Sequence, residues 1–117
     1  MSRTRVDLVD RTAKLLGVIG AGQTLAAEDR QSIDDEIDGM MATLETESIY
    51  RVGDDDQIDD AAFYWLACVL AVTCAPDFGF SEEGLAKKGV TRAGAESRLR
   101  KLSAVKPTGS VQRAEYF

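Results

Sequence analysis

Five aspartates crowd one short stretch of the chain, Asp54, Asp55, Asp56, Asp59 and Asp60, a density of carboxylate oxygen that suits a hard cation such as calcium. The spacing does not follow. With Asp54 as first ligand, the third falls on Ile58, the turn glycine on Asp59 and the bidentate acid on Trp65, so the calcium-loop template fails. A loop running into a helix amino terminus accounts for the same acids, because the positive end of the helix dipole favours them. Paired carboxylates can exchange protons only where something separates their pKa values, and no such pattern surrounds these. Histidine is absent, which removes Ser-His and Cys-His nucleophiles and every His-bearing zinc site. Gly17, Gly20 and Gly22 lack the lysine and the preceding strand of a phosphate loop and read as a turn. Cys68 and Cys74 lie six positions apart, so on a helix they face different ways and form no disulfide; their apolar surroundings predict buried thiols in a reducing compartment. The expectation is a protein that is not an enzyme and uses no metal or cofactor.

The elements that position these residues read as helices. At 117 residues, with 44% hydrophobic and 29% charged side chains, the chain holds one domain with a self-supporting core. A first helix is predicted over about 4–16, ending at Gly17. Val6, Val9, Ala13 and Leu16 share one side of it and Leu8 and Leu15 the opposite side, so it is two-faced: enclosed within its own bundle, or packed on one side against a neighbouring subunit. A second helix over 27–45 carries Ile33, Ile37, Met40, Met41 and Leu44 in one stripe, Glu28 and Asp29 in its first turn, and Thr24 as a cap. A third over 58–74 is apolar all round, from Ala61 through Phe63, Tyr64, Trp65 and Leu66 to Val72, which makes it the central helix, stopped by Pro76. A fourth is predicted over 81–103, capped by Ser81 and weakened at Gly89 and Gly94. The fold class expected is all-α, a small four-helix bundle over 1–103, with 104–117 as an extended carboxyl-terminal tail. The longest apolar run, Ala61–Ala75, is short of the roughly 20 residues that a bilayer span needs, so the expectation is a soluble, intracellular protein without a membrane partner.

Charge changes sign along the chain. Residues 1–80 hold 6 basic and 16 acidic side chains, and residues 81–117 hold 8 basic and 4 acidic, for a net charge of −6. Either the two parts neutralise each other within one monomer, or one end of a subunit attracts the other end of its neighbour. Lys87, Arg98 and Lys101 form the basic stripe of the fourth helix. The chain ends in Tyr116 and Phe117, which suit an anchor in a partner's groove better than solvent.

Several short motifs, in order, resemble the head-to-tail adaptor or packaged-DNA stabilisation proteins of tailed phages and prophage elements. They are Lys14-Leu15-Leu16-Gly17-Val18, Gln31 with the Met40-Met41 pair, Leu66-Ala67 through Ala75-Pro76-Asp77-Phe78, Arg98-Leu99-Arg100-Lys101-Leu102, and Pro107-Thr108-Gly109-Ser110 followed by Tyr116-Phe117. The resemblance spans nearly the whole chain, with an Asp-rich loop at 54–56 in place of a longer insertion. It implies a helical subunit in a ring of about twelve copies beneath the portal protein, extending the DNA channel and joining it to a tail, stopper or nozzle protein. Packaged DNA then passes through without sequence-specific contact, and the protein resides at the virion head-tail interface after assembly from the host cytoplasm. On this reading Pro107, Thr108, Gly109, Tyr116 and Phe117 dock on the portal, and Leu8, Leu15, Lys87, Arg98 and Lys101 face a neighbouring subunit or the channel. A different expectation is a small acidic regulator that binds a basic partner through Asp34, Asp35, Glu36 and Asp38 together with the Asp54–Asp60 cluster.

Overall fold

Thr4 opens the first helix with a reciprocal box: its hydroxyl accepts from the Asp7 amide, and the Asp7 carboxylate accepts from the Thr4 amide. Two of the donors that a helix start leaves unpaired are thereby satisfied. In the computed structural model, which describes residues 2–18 and 25–105, this helix (α1) runs Arg5–Leu16. It ends where Gly17 takes φ 84°, a left-handed conformation that glycine adopts without strain. Just before it, Ser2–Arg3 (β1) pairs antiparallel with Ile58–Asp59 (β2), Arg3 opposite Ile58.

The second helix, α2, spans Ala27–Thr46 and buries Ile33, Ile37, Met40 and Leu44 from the expected stripe, with Met41 only half-buried at its edge. Its cap position is Ala26, which makes no side-chain cap bond; Gly20, Gly22 and Thr24 lie outside the described residues. The central helix α3 runs Asp60–Cys74 and is capped by Asp59, whose carboxylate accepts from the Ala61 amide. Leu66, Ala67, Val69, Leu70 and Ala71 are fully enclosed, each large aliphatic among them contributing roughly 2 kcal/mol relative to exposure. Pro76 does not stop the chain at once. It sits in the first turn of a 3-10 segment, Ala75–Phe78, where its missing donor is not needed, and Gly79 at φ 77° makes the real end. The resulting stretch Asp60–Phe78 is long and apolar enough by composition to cross a membrane, yet most of it is enclosed by the rest of the chain.

The chain is mostly helical, as expected, but the single helix predicted over 81–103 is two. Ser81 caps a short α4, Glu82–Lys87, by accepting from the Gly84 amide, and Gly89 at φ 82° then turns the chain into α5, Arg92–Val105. The break is stronger than a helix-weakening glycine alone implies, because the left-handed residue is followed by a fresh helix start. There the Thr91 hydroxyl accepts from the Gly94 amide, and a Cβ on Gly94 would lie only 2.7 Å from that hydroxyl. Gly94 thus lies close against the Thr91 cap in the first turn of α5, not in a helix interior. Because α5 reaches Val105, residues 104 and 105 are helical, not part of a tail.

Around α3, the helices α1, α2 and α5 each pack on its surface, and α1 also packs on α2. One edge of α1 faces α2, where Arg30 pairs with Asp10 at 2.8 Å. The opposite edge, carrying Arg11, faces the Tyr64 ring of α3. Between them α1 buries Leu8, Val9, Thr12, Ala13 and Leu16, a broader arc than the two separate stripes expected. Val6, expected on the inner side, is 57% exposed.

Candidate functional site

The acidic loop first acquires its role from one arginine that sequence reading passed over. Arg5 is the first residue of α1 and its side chain is 21% exposed. Its Nε donates to Asp34 at 2.8 Å, its Nη1 to Asp38 at 2.8 Å and to Asp55 at 2.7 Å, and its Nη2 to the Asp34 carbonyl at 3.0 Å. Three carboxylates hold the Arg5 guanidinium well above its ordinary pKa, Asp34 first, and Arg5 in turn lowers that of Asp38. The carboxylates of Asp54, Asp55 and Asp56 do approach within 4.8 Å of one another. Their bonds explain why: Asp55 holds Arg5, Asp54 accepts from the Asp56 amide in a turn, and Asp56 faces the Arg5 amide. The cluster is a clamp that fastens the start of α1 to α2 and to the loop before α3. Asp34, Asp38 and Asp55 are thereby engaged within the chain, although the Asp38 side chain stays 81% exposed.

A second set of arginines is held differently. Phe63, Tyr64 and Trp65 are consecutive, and three successive helical positions sweep about 200° of the axis, so they do not share one buried face. Phe63 is buried, whereas Tyr64 and Trp65 are half-buried on the side of α3 between α1 and α5, two helices that scarcely meet one another. An arginine lies over each ring: Arg3 at 5.1 Å from the Phe63 centroid, Arg11 at 5.4 Å from Tyr64 and Arg98 at 5.4 Å from Trp65. Tyr64 and Trp65 meet edge to face with centroids 4.9 Å apart. Arg3 also pairs with Asp60 at 3.3 Å, but Arg11 and Arg98 form no ion pair among the described residues. A cleft of about 440 Å³ opens at the β1 end of this face, lined by Arg3, Arg11, Asp60, Phe63 and Tyr64.

The strip closes inward at Cys68, which is buried. A hydrogen bond to Cys68 raises the Tyr64 hydroxyl above the ordinary phenol pKa, and burial raises the Cys68 thiol. Burial pushes the Cys74 thiol up to about 12, with Glu36 and Asp77 adding to the shift. Both cysteines are thus buried thiols whose reactive thiolate form is disfavoured.

The residues singled out from the sequence separate accordingly. Leu8 is fully enclosed in the monomer's own core and presents nothing to a neighbouring subunit, because α1 buries one broad arc against both α2 and α3. Leu15 is half-buried one turn beyond Arg11, on the same edge of α1. Arg98 and Lys101 are exposed on α5, with Leu102 half-buried beside them, and of these Arg98 lies over the Trp65 ring. Lys87 is exposed but belongs to α4, and the Gly89 turn removes it from the Arg98–Lys101 face. Pro107, Thr108, Gly109, Tyr116 and Phe117 lie outside the described residues. Arg3, Arg11, Tyr64 and Trp65 went unrecognised in the sequence because the aromatics were assigned wholly to the core; the 200° sweep of three consecutive rings is the signal that separates them.

Comparison of the chain with family models, with curated proteins and with solved structures yields no match.

Proposed function

We propose that the chain is a non-enzymatic connector subunit of a tailed phage or prophage element, one of a ring of about twelve copies that extends the portal channel and joins capsid to tail. The observation that carries the reading is the face built from Arg11, Arg98, Tyr64 and Trp65. Two arginines stacked on half-buried rings, without a carboxylate partner among the described residues, have the composition of a protein-binding centre. Arg98, selected from sequence as subunit- or channel-facing, belongs to that face, and Leu15 and Lys101 lie about one turn on from Arg11 and Arg98 along their helices. The motif order that resembles the adaptor family adds support, since its Gly17 closes α1 and its Ala75–Phe78 forms the turn after α3.

On this reading α4 and α5 together serve as the fourth member of a bundle. The segment beyond residue 105 is the extended tail, and Pro107, Thr108, Gly109, Tyr116 and Phe117 dock on the portal. The remaining partners are a tail, stopper or nozzle protein and the DNA that passes through. The test is to mix the purified chain with the portal protein encoded beside it and to measure particle mass and image the product by electron microscopy. A ring seated on the portal is expected. Removing residues 106–117 abolishes attachment while leaving helicity intact; attachment unchanged by that deletion rejects the tail's role, and failure of the full chain to join the portal rejects the connector.

A further inference from the structure

We infer that the arginine–aromatic groove between α1 and α5 receives the exposed acidic side of α2 from a second copy of this chain. The inference rests on the ring-subunit reading and adds to it the two surfaces that meet.

The groove supplies donors in want of acceptors. A guanidinium lying on a ring keeps its N–H groups at its edges, where a carboxylate binds, and stacking leaves that capacity unused. Arg11 and Arg98 stand in this state in a chain whose acids outnumber its bases, so their lack of an ion-pair partner among the described residues is not for want of carboxylates. Tyr64 and Trp65 lie beneath the two guanidinium groups, and the half-buried Leu15 and Leu102 follow Arg11 and Arg98 one turn on along α1 and α5. The two walls are separate helices packed on α3 that scarcely meet one another, and Tyr64 and Trp65 are only half-buried among the described residues.

The outward side of α2 has the complementary character. Glu28, Asp35 and Ala42 recur every seven residues and share one face, with Gly39 beside them. Glu28, Asp35, Gly39 and Ala42 are all exposed, and the Asp35 carboxylate accepts only a neutral bond from Gln31. Gly39 lies deep inside a 20-residue helix, where it costs about 1 kcal/mol relative to alanine. A Cβ there would meet nothing within 4 Å, so no packing among the described residues requires glycine. A notch of Gly39 and Ala42 flanked by acids lets a helix come close to a ridge of Tyr64 and Trp65, and brings carboxylates toward the guanidinium groups of Arg11 and Arg98.

The two surfaces lie on different sides of one subunit. The Asp10 edge of α1 faces α2, and the Arg11 edge faces the groove, so α1 stands between them. One copy's α2 therefore engages the next copy's groove, a heterologous contact that repeats from copy to copy and closes as a ring when the rotation allows.

Trp65, the single tryptophan, lies in the groove and reports its occupancy. The full chain is followed by sedimentation and by acrylamide quenching of Trp65 from about 5 μM to 1 mM at low salt, the range in which weak contacts populate. The expected result is association that rises with concentration, shields Trp65 and weakens as salt is added. Arg11→Glu with Arg98→Glu weakens it at least about tenfold, and so does Glu28→Lys with Asp35→Lys, while mixing the two reversed proteins restores a 1:1 complex. Circular dichroism establishes that each variant is folded.

Four results overturn the inference: a wild-type chain monomeric throughout; reversed variants that fail to rescue one another; a monomer whose Trp65 becomes exposed when residues 106–117 are removed, which assigns the groove to the chain's own end; or loss of binding to a short duplex DNA in the Arg11/Arg98 variant with self-association unchanged. Portal attachment is scored separately. A wild-type ring on the portal that the charge reversals leave intact removes this contact and keeps the connector, whereas no attachment at all removes the connector.

Discussion

Arg5 and the pair Arg11 and Arg98 are the same residue type within one small fold, and they are treated in opposite ways. Arg5 is drawn inward and held by Asp34, Asp38 and Asp55, so its donors are occupied by the chain itself. Arg11 and Arg98 lie on the rings of Tyr64 and Trp65 with no ion-pair partner among the described residues. The difference shows that the surplus of acid is not spread evenly as a solvating coat. Part of it is gathered around one structural clamp and along the outward side of α2, while Arg11 and Arg98 lie on aromatic rings.

The largest effect expected tests the boundary between the enclosed and the open side of α1. Leu8→Ala removes a fully enclosed side chain and lowers unfolding free energy by about 3 kcal/mol in urea titration, whereas Leu15→Ala costs less than about 1 kcal/mol and acts instead on self-association. An equal cost at both positions would erase that boundary. Next comes the clamp itself. Arg5→Met leaves Asp34, Asp38 and Asp55 facing one another and costs about 2 kcal/mol, against about 0.5 kcal/mol for Arg11→Met or Arg98→Met, which give up only a ring contact near the surface.

The pH dependence sharpens the same contrast. Asp38 has a carboxyl pKa lowered by Arg5, so its contribution is present above the ordinary carboxylate range and is lost as pH falls through the lowered value. Thermal unfolding of the wild type therefore weakens below about pH 4, and Arg5→Met shows a shallower acid limb. A wild type and variant with parallel acid limbs would detach Arg5 from this behaviour. The smallest stability change is at the proposed docking notch. Gly39→Gln stabilises the subunit by about 0.5 kcal/mol through helix propensity alone, yet lowers self-association because a side chain then fills the notch. A variant that is both more stable and equally associative would show that the notch has no role.

The sequence stripe on α2, the left-handed end at Gly17 and the Ser81 cap were all legible, because each depends on residues close together in the chain. The division of the last helical segment was not. Gly89 and Gly94 look alike as helix-weakening residues, but Gly89 adopts positive φ between two helices and Gly94 lies in the first turn of α5 against its Thr91 cap, and only three-dimensional placement tells the two apart. The face of α1 was misjudged for a related reason: two stripes suggested two environments, whereas both α2 and α3 press on one wide arc that takes in Leu8 and leaves Val6 outside. Of the arginines described above, Arg98 was singled out from periodicity as a candidate. Arg3, Arg5 and Arg11 were not, since what makes them different is which partners, up to 57 positions away in the chain, they meet.

The short bridge between β1 and β2 has a further consequence for how the molecule comes together. It joins Arg3 to Ile58, and the neighbouring bonds of Arg3 and Arg5 reach across 57 and 29 positions, so none of these ties forms until long stretches of chain have already been gathered in. The two-residue bridge is accordingly expected to form late during folding and to open under milder denaturant than the core around α3. Amide exchange at Arg3 and Ile58 then outpaces that of Leu66 and Leu70, and the Arg11 wall borders the part of the molecule most easily opened.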